Sequence, residues 1–204
     1  MTTTESGGTR RRGRPGYDLE TLLMAAAELF YERGYDGTSI QDLANRLGVT
    51  KSAIYHHVPG KEALLRLAVD RALDGLFAEV AKLDAVEGRA VDRLEHLVRG
   101  SVTVLVEQLP FVTLLLRVRG NSETEREALA RRREFDQIVT ALVADAAAEG
   151  DLRPDVDPAM TTRLLFGMVN SLIEWYRPQG GLSAADLAAT VATVAFDGLR
   201  VRGD

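Results

Sequence analysis

Residues 38–65 read TSIQDLANRLGVTKSAIYHHVPGKEALL, and the fold turns on what this stretch can form. Thr38-Ser39-Ile40-Gln41 has the spacing of a capping box, in which the Thr38 hydroxyl takes an orphan amide and Gln41 reaches back. A helix is expected from Thr38 to about Leu47, ended by Gly48. A second, short helix runs from Lys51 to His57 and stops at Val58-Pro59-Gly60. Ile40, Leu43, Ala44, Leu47, Val49 and Ile54 are spaced to bury the angle between the two, while Ala44 and Ala53 are small enough for close approach. Helix, glycine turn and helix make a helix-turn-helix. Its other face is polar: Lys51, Ser52, Tyr55, His56 and His57 lie at the start of, or along, a helix that can enter a major groove. Thr38, Thr50, Tyr55 and Lys61 fall at helix ends, where phosphate oxygens are met and a protein is positioned rather than made selective.

Upstream, Leu19, Leu22, Leu23, Ala26, Leu29 and Phe30 recur at three and four, so a first helix is expected after Asp18, with Gly34 as its terminating left-handed residue. Residues 1–16, MTTTESGGTRRRGRPG, have no apolar residue after Met1 and read as a flexible basic arm. Arg11, Arg12 and Arg14 fit either a solvated tail or an arm in the minor groove, and attachment directly before the first helix favours the second. Downstream no strand alternation occurs. Helices are expected from Lys61 to about Leu83, from Arg89 to Gln108, and from Pro110 to Gly120. A seventh starts at the capping box Ser122-Glu123-Thr124-Glu125 and ends at Gly150; an eighth runs from Asp157-Pro158 to near Pro178; a ninth is capped by Ser183 to Asp186. The expected fold class is all-α with nine helices: a basic arm over 1–16, a helix-turn-helix unit over 17–60, and a larger helical bundle over 61–204.

Composition narrows the function. The chain has 204 residues, 46% hydrophobic and 27% charged, which suits a sizeable core. It has no cysteine, so disulfides, thiolate metal sites and thiol nucleophiles are excluded together. Net charge is −5: residues 1–61 hold eight Lys/Arg against seven Asp/Glu, or +1, and residues 62–204 hold 17 against 23, or −6. Bulk charge therefore cannot coat nucleic acid, and any contact must be local. The longest apolar runs fall short of the ~20 residues a spanning helix needs, and the Arg-rich start lacks the apolar stretch of a secretory signal. No membrane is expected as a partner, and the expected location is cytoplasmic. His56, His57 and His96 have no metal-ligand spacing, and no nucleophile elbow, Walker loop or dinucleotide glycine pattern occurs. No enzyme, metal or cofactor is expected.

The stretch quoted above resembles the N-terminal domain of TetR-type transcriptional regulators, over about Tyr17 to Leu65. The resemblance implies a three-helix DNA-binding unit before a larger ligand-binding and dimerisation domain. It further implies that Lys51 to His57 is the recognition helix, that Tyr55 and Lys61 meet phosphates, and that Thr38 and Thr50 anchor helix starts on the backbone. His56 then serves as a base or phosphate contact at the end of the recognition helix. The expected partners are a double-stranded DNA operator, a small-molecule effector and a second copy of the chain.

In the second half, the eighth helix is apolar around most of its circumference, and Arg163, Gly167, Asn170, Glu174 and Arg177 share one narrow polar stripe. Two readings fit. The favoured one is a dimer seam, with Arg163 opposite the partner's Glu174 and Gly167 permitting close crossing; the other is a polar pocket wall. Arg132 lies within the core stripe of the seventh helix, Ala128, Phe135, Val139, Leu142 and Ala146. It either snorkels to Asp136 or faces an anionic ligand, helped by Arg117 and Arg119; Arg131 and Arg133 pair with Glu127 and Glu134. The segments LLLRVRGN, ARRREFD and LLFGMVNSLIEWYRPQGGLS are similar to TetR-type regulators of fatty-acid, sterol and phenylacetate breakdown, whose effectors are CoA thioesters. That similarity implies an acyl group among helices five to eight and CoA phosphates near Arg132, Arg117 and Arg119, with Asn170, Trp175 and Tyr176 lining the pocket. A multidrug-type repressor, or a helical adaptor without DNA function, are the alternatives.

Overall fold

Asp18 opens the first helix: its carboxylate accepts the Thr21 amide at 2.8 Å, which starts α1 (Leu19–Arg33). In this computed structural model, which describes residues 18–199, the described residues form nine α-helices and a single 3-10 turn. The basic arm with Arg11, Arg12 and Arg14 lies outside the described residues. Gly34 ends α1 at φ 77° and ψ 159°, so it supplies the positive φ but not the left-handed helical turn expected of it.

The second helix starts two residues later than the sequence suggests. Ser39, not Thr38, caps α2 (Ile40–Leu47), and the reciprocal partner is Asp42, not Gln41: the Asp42 carboxylate accepts the Ser39 amide at 2.9 Å while Ser39 Oγ accepts the Asp42 amide at 3.2 Å. Thr38 lies beneath this cap, 4% exposed, with its hydroxyl against the carbonyls of Gly34 (2.8 Å) and Leu29 (3.3 Å). A buried hydroxyl must find a partner, and the unpaired carbonyls ending α1 supply one. Gly48 then turns the chain at φ 64° and ψ 34°, the left-handed conformation glycine adopts without strain. Thr50 caps α3 (Lys51–Tyr55) by accepting the Ala53 amide at 3.3 Å. Leu43, Ala44 and Ile54 are buried in the angle between α2 and α3.

The remaining helices are α4 (Lys61–Ala81), α5 (Ala90–Glu107), α6 (Leu109–Arg117), α7 (Glu123–Ala148), α8 (Pro158–Trp175) and α9 (Ala184–Leu199), with the 3-10 turn at Leu83–Ala85. α1 packs on both α4 and α6, and α4 packs in turn on α5, α6 and α7 of the bundle. Arg131 does not pair with Glu127; it reaches across to Asp70 (3.1 Å) and Asp74 (2.7 Å) on α4, while Glu127 pairs with Arg66. The Ser122 cap forms, but Glu125 does not reach back to it. Glu125 is buried, and one of its oxygens accepts the amides of Arg119, Gly120 and Asn121.

Candidate functional site

Lys51, Ser52, Tyr55, His56 and His57 all stand exposed on or just after α3, so each of the expected contact residues is accessible to a partner. The scaffold behind them is stiffened by ion pairs between α1 and α2: Arg46 meets Glu32 at 2.5 Å and Glu28 at 3.7 Å, and Arg33 meets Asp42 at 3.4 Å. Hydrogen bonds from Ser39, aided by the Arg33 charge, hold the Asp42 carboxyl below the usual carboxylate range.

Two of the expected phosphate contacts are otherwise engaged. Thr38 is buried, as described above. Lys61 donates through Nζ to the Tyr35 carbonyl at 2.8 Å and stands 4.1 Å above the centre of the Tyr35 ring. It ties the start of α4 to the turn after α1, with one donor on a carbonyl and its charge over an aromatic face.

The bundle holds a cavity of about 50 Å³ walled by Leu76, Leu105, Val112, Leu115, Phe135, Phe166 and Val169. Arg132, Asp136 and Asn170 stand at its edge. The same three residues and Phe166 also line a vestibule of about 410 Å³ between α7 and α8, which adds Arg133, Arg163, Gly167, Thr140 and Thr162. A largely apolar interior thus adjoins a polar antechamber carrying three guanidinium groups against one carboxylate. Arg132 reaches the Leu115 carbonyl at 3.5 Å rather than closing an ion pair on Asp136. Burial pushes the Asp136 carboxyl above its ordinary range, against the opposing pull of Arg132 and Arg163.

The expected ligand set is split by the fold. Arg132 and Asn170 meet at the cavity, but Arg117 and Arg119 line a separate cleft at the joint between α1 and the end of α6, where Arg117 stacks 4.5 Å from the Tyr31 ring. Tyr176 is buried, donating its hydroxyl to the Leu182 carbonyl at 3.4 Å, and Trp175 is 52% exposed. Arg117 and Arg119 therefore do not face the ligand that Arg132 would meet, because the last turn of α6 carries them to the side of α1.

The polar stripe of α8 is likewise divided. Arg163, Gly167 and Asn170 line the vestibule, Glu174 is exposed, and Arg177 donates to the carbonyls of Tyr176 (2.8 Å) and Glu174 (3.3 Å). α8 is not buried all round in the single chain: Met160 (63% exposed), Leu164 (68%) and Trp175 form an outward apolar stripe, with Val194 (63%) exposed on α9. The sequence names Asp136 only as an ion-pair partner of Arg132 and Arg133 only as a partner of Glu134, and it gives no sign of the Thr140–Thr162 hydroxyl pair (3.1 Å).

Residues 22–68 match the family described as "Bacterial regulatory proteins, tetR family", and residues 87–199 match "Tetracyclin repressor-like, C-terminal domain". A solved TetR-family regulator from Streptomyces coelicolor A3 is 56% identical, with 90% of this chain and 92% of that one covered and a TM-score of 0.82. The HTH-type transcriptional repressor KstR2 of Rhodococcus jostii (strain RHA1) is 28% identical over 92% of this chain and 93% of its own. The crystal structure of AibR in complex with isovaleryl coenzyme A and operator DNA is 29% identical, covers 87% of this chain and 97% of that one, and has a TM-score of 0.71.

Proposed function

Because the chain belongs to the TetR family of bacterial regulatory proteins, and so is a DNA-binding transcriptional regulator rather than an enzyme, we propose that it is a homodimeric repressor released from a palindromic operator by an acyl-CoA. The observation that carries the effector class is the apolar cavity opening onto the vestibule of Arg132, Arg133 and Arg163. The acyl group goes inward and the CoA phosphates meet guanidinium groups suited to bidentate contact. AibR, similar in fold, was crystallised with such a thioester.

Lys51, Ser52, Tyr55 and His56 carry the base and phosphate contacts in one major groove, and a second subunit reads the other half-site about one helical turn away. Thr50 anchors the start of the recognition helix. Thr38 and Lys61 support the reader from behind. The basic arm adds Arg11, Arg12 and Arg14 to the minor groove. The dimer seam follows Met160, Leu164 and Trp175 with Val194, since exposed large apolar groups in a row are what a partner surface covers. Arg163, Gly167 and Glu174 flank that seam. The protein acts in the cytoplasm, and among the described residues no single helix is long and apolar enough to cross a membrane.

At about 50 Å³ the cavity is contracted, far below the roughly 300 Å³ at which ligand pockets begin. Entry of an acyl chain must move Phe135 and Phe166, which meet edge to face at 5.2 Å, and Phe135 in turn meets Phe77 of α4 at 6.2 Å. The ligand thereby favours an α4 position that DNA disfavours, by as much as its affinity for the two states differs. The test is a titration with labelled DNA from upstream of the chain's own gene, followed by acyl-CoAs of graded length with the free acids as controls. Release by a thioester and not by its acid supports the proposal. Release only by uncharged compounds overturns the effector class, and failure to bind any duplex in dilute salt overturns the whole reading.

A further inference from the structure

A second cleft, of about 370 Å³, lies where α1, the start of α6 and the end of α8 meet. It shares no residue with the cavity or the vestibule. Its volume is within the range of small-molecule sites. The floor is apolar, with Leu109, Pro110 and Ile173, and one wall carries Glu28 and Glu32, a single helical turn apart on α1.

Three features give the cleft a definite chemistry. First, both carboxylates are about half exposed and each spends one oxygen on Arg46, so each keeps acceptor capacity toward the cleft. Second, Arg177 also lines the cleft, but its guanidinium donates to the carbonyls of Tyr176 and Glu174 and pairs with neither glutamate. Third, Thr113 is only 6% exposed, lines the cleft, and makes no hydrogen bond among the described residues. Ser101 and Thr103, on the neighbouring helix, each donate to the carbonyl four residues back (2.8 and 3.2 Å). Thr113 does not. The Thr113 oxygen is not sealed inside the protein, so it stays accessible from the cleft and open to a partner there.

We propose that this cleft binds an amphipathic organic cation: an ammonium group on Glu28 and Glu32, an apolar body over Leu109, Pro110 and Ile173, and a second polar atom on the Thr113 hydroxyl. The cation competes with Arg46 for the two glutamates. Because Arg46 ties α2 to α1, occupancy loosens the helix that supports α3, from a site other than the core cavity. That consequence rests on the DNA-binding reading, whereas ligand binding is measured on the protein alone, so the two fail separately.

The probe is tyramine, which carries an ammonium, a ring and a hydroxyl in line. Controls are 2-phenylethylamine, which lacks the hydroxyl, and tyrosol, which lacks the charge. Calorimetric titration of the wild type should give saturable tyramine binding at least about tenfold tighter than tyrosol, a factor expected of one charge-assisted hydrogen bond. Thr113→Val, nearly isosteric, should weaken tyramine about fivefold and leave 2-phenylethylamine unchanged, as loss of a single neutral hydrogen bond predicts. Glu32→Gln should weaken both amines, and amide exchange in α2 should rise when tyramine is bound. Equal affinity for tyramine and tyrosol, equal sensitivity of both amines to Thr113→Val, or no saturable binding overturns the proposal. Circular dichroism of Thr113→Val confirms that the comparison is made between folded proteins.

Discussion

Removing one carboxylate should unfasten the turn between α6 and α7. Glu125 is 7% exposed, and its Oε2 accepts three backbone amides, from Arg119 (3.0 Å), Gly120 (2.7 Å) and Asn121 (2.9 Å). Hydrogen bonds to a charged acceptor are worth up to ~3 kcal/mol each, but three donors share one oxygen and the freed amides regain some water, so about 1 kcal/mol per amide is the fair figure. Glu125→Ala should then cost about 3 kcal/mol, which for a chain of this length lowers the melting temperature by about 6–12 °C. Glu125→Gln keeps an acceptor oxygen without the charge and should lose roughly half as much. Thermal unfolding followed by far-ultraviolet circular dichroism, at one fixed protein concentration, measures both. A drop of under about 2 °C for the alanine variant, or equal drops for the two, would refute the view that this carboxylate organises the turn.

Five further outcomes are expected. Thr38→Val strips the hydroxyl from the Gly34 and Leu29 carbonyls and should destabilise the chain by about 1–2 kcal/mol while leaving the salt dependence of DNA binding unchanged. Lys61→Ala should weaken binding to every duplex alike, and a salt slope shallower by about 0.9 would instead return Lys61 to a phosphate; His56→Ala should change preference at one base pair. Asp136 titrates above its unfolded value, so the folded chain binds the extra proton between the two values and loses stability as pH rises through that window; Asp136→Asn should raise the melting temperature at pH 7 and not at pH 3. Leu164→Arg puts a charge on the outward stripe of α8 and should leave a folded monomer by light scattering.

The helices were legible because their signals are local. Asp18, Thr50, Ser122 and Asp157 each stand as N-caps accepting an amide three residues on, where the sequence alone puts the helix starts. The errors came where two local solutions compete or where a partner is remote. Thr38 and Ser39 both have capping chemistry, and the choice falls to Ser39 because the end of α1 draws the Thr38 hydroxyl inward. Arg131 had an acid nearby in sequence, Glu127, yet pairs with two on α4, which no spacing rule within α7 could reveal. Arg117 and Arg119 share with Arg132 only the guanidinium charge that an anionic ligand would need. The direction in which α6 leaves the bundle, a tertiary property, sends them elsewhere.

The division of α8 into three faces explains why its sequence permitted two readings of one stripe. Leu165, Val169 and Leu172 face the bundle, Met160, Leu164 and Trp175 face outward, and Arg163 and Asn170 fill the angle between, with Gly167 at the boundary. A helix used on two apolar sides has little circumference left for polar groups, so what remains must border both surfaces. In the proposed assembly the vestibule then opens beside the seam, and an effector whose phosphates draw Arg163 toward the vestibule acts on the flank of the dimer as well as on α4. Arg163→Ala should therefore weaken a CoA thioester more than it weakens the dimer. If instead dimer dissociation and effector affinity change by the same factor, Arg163 belongs to the seam and the vestibule loses one of its three cations.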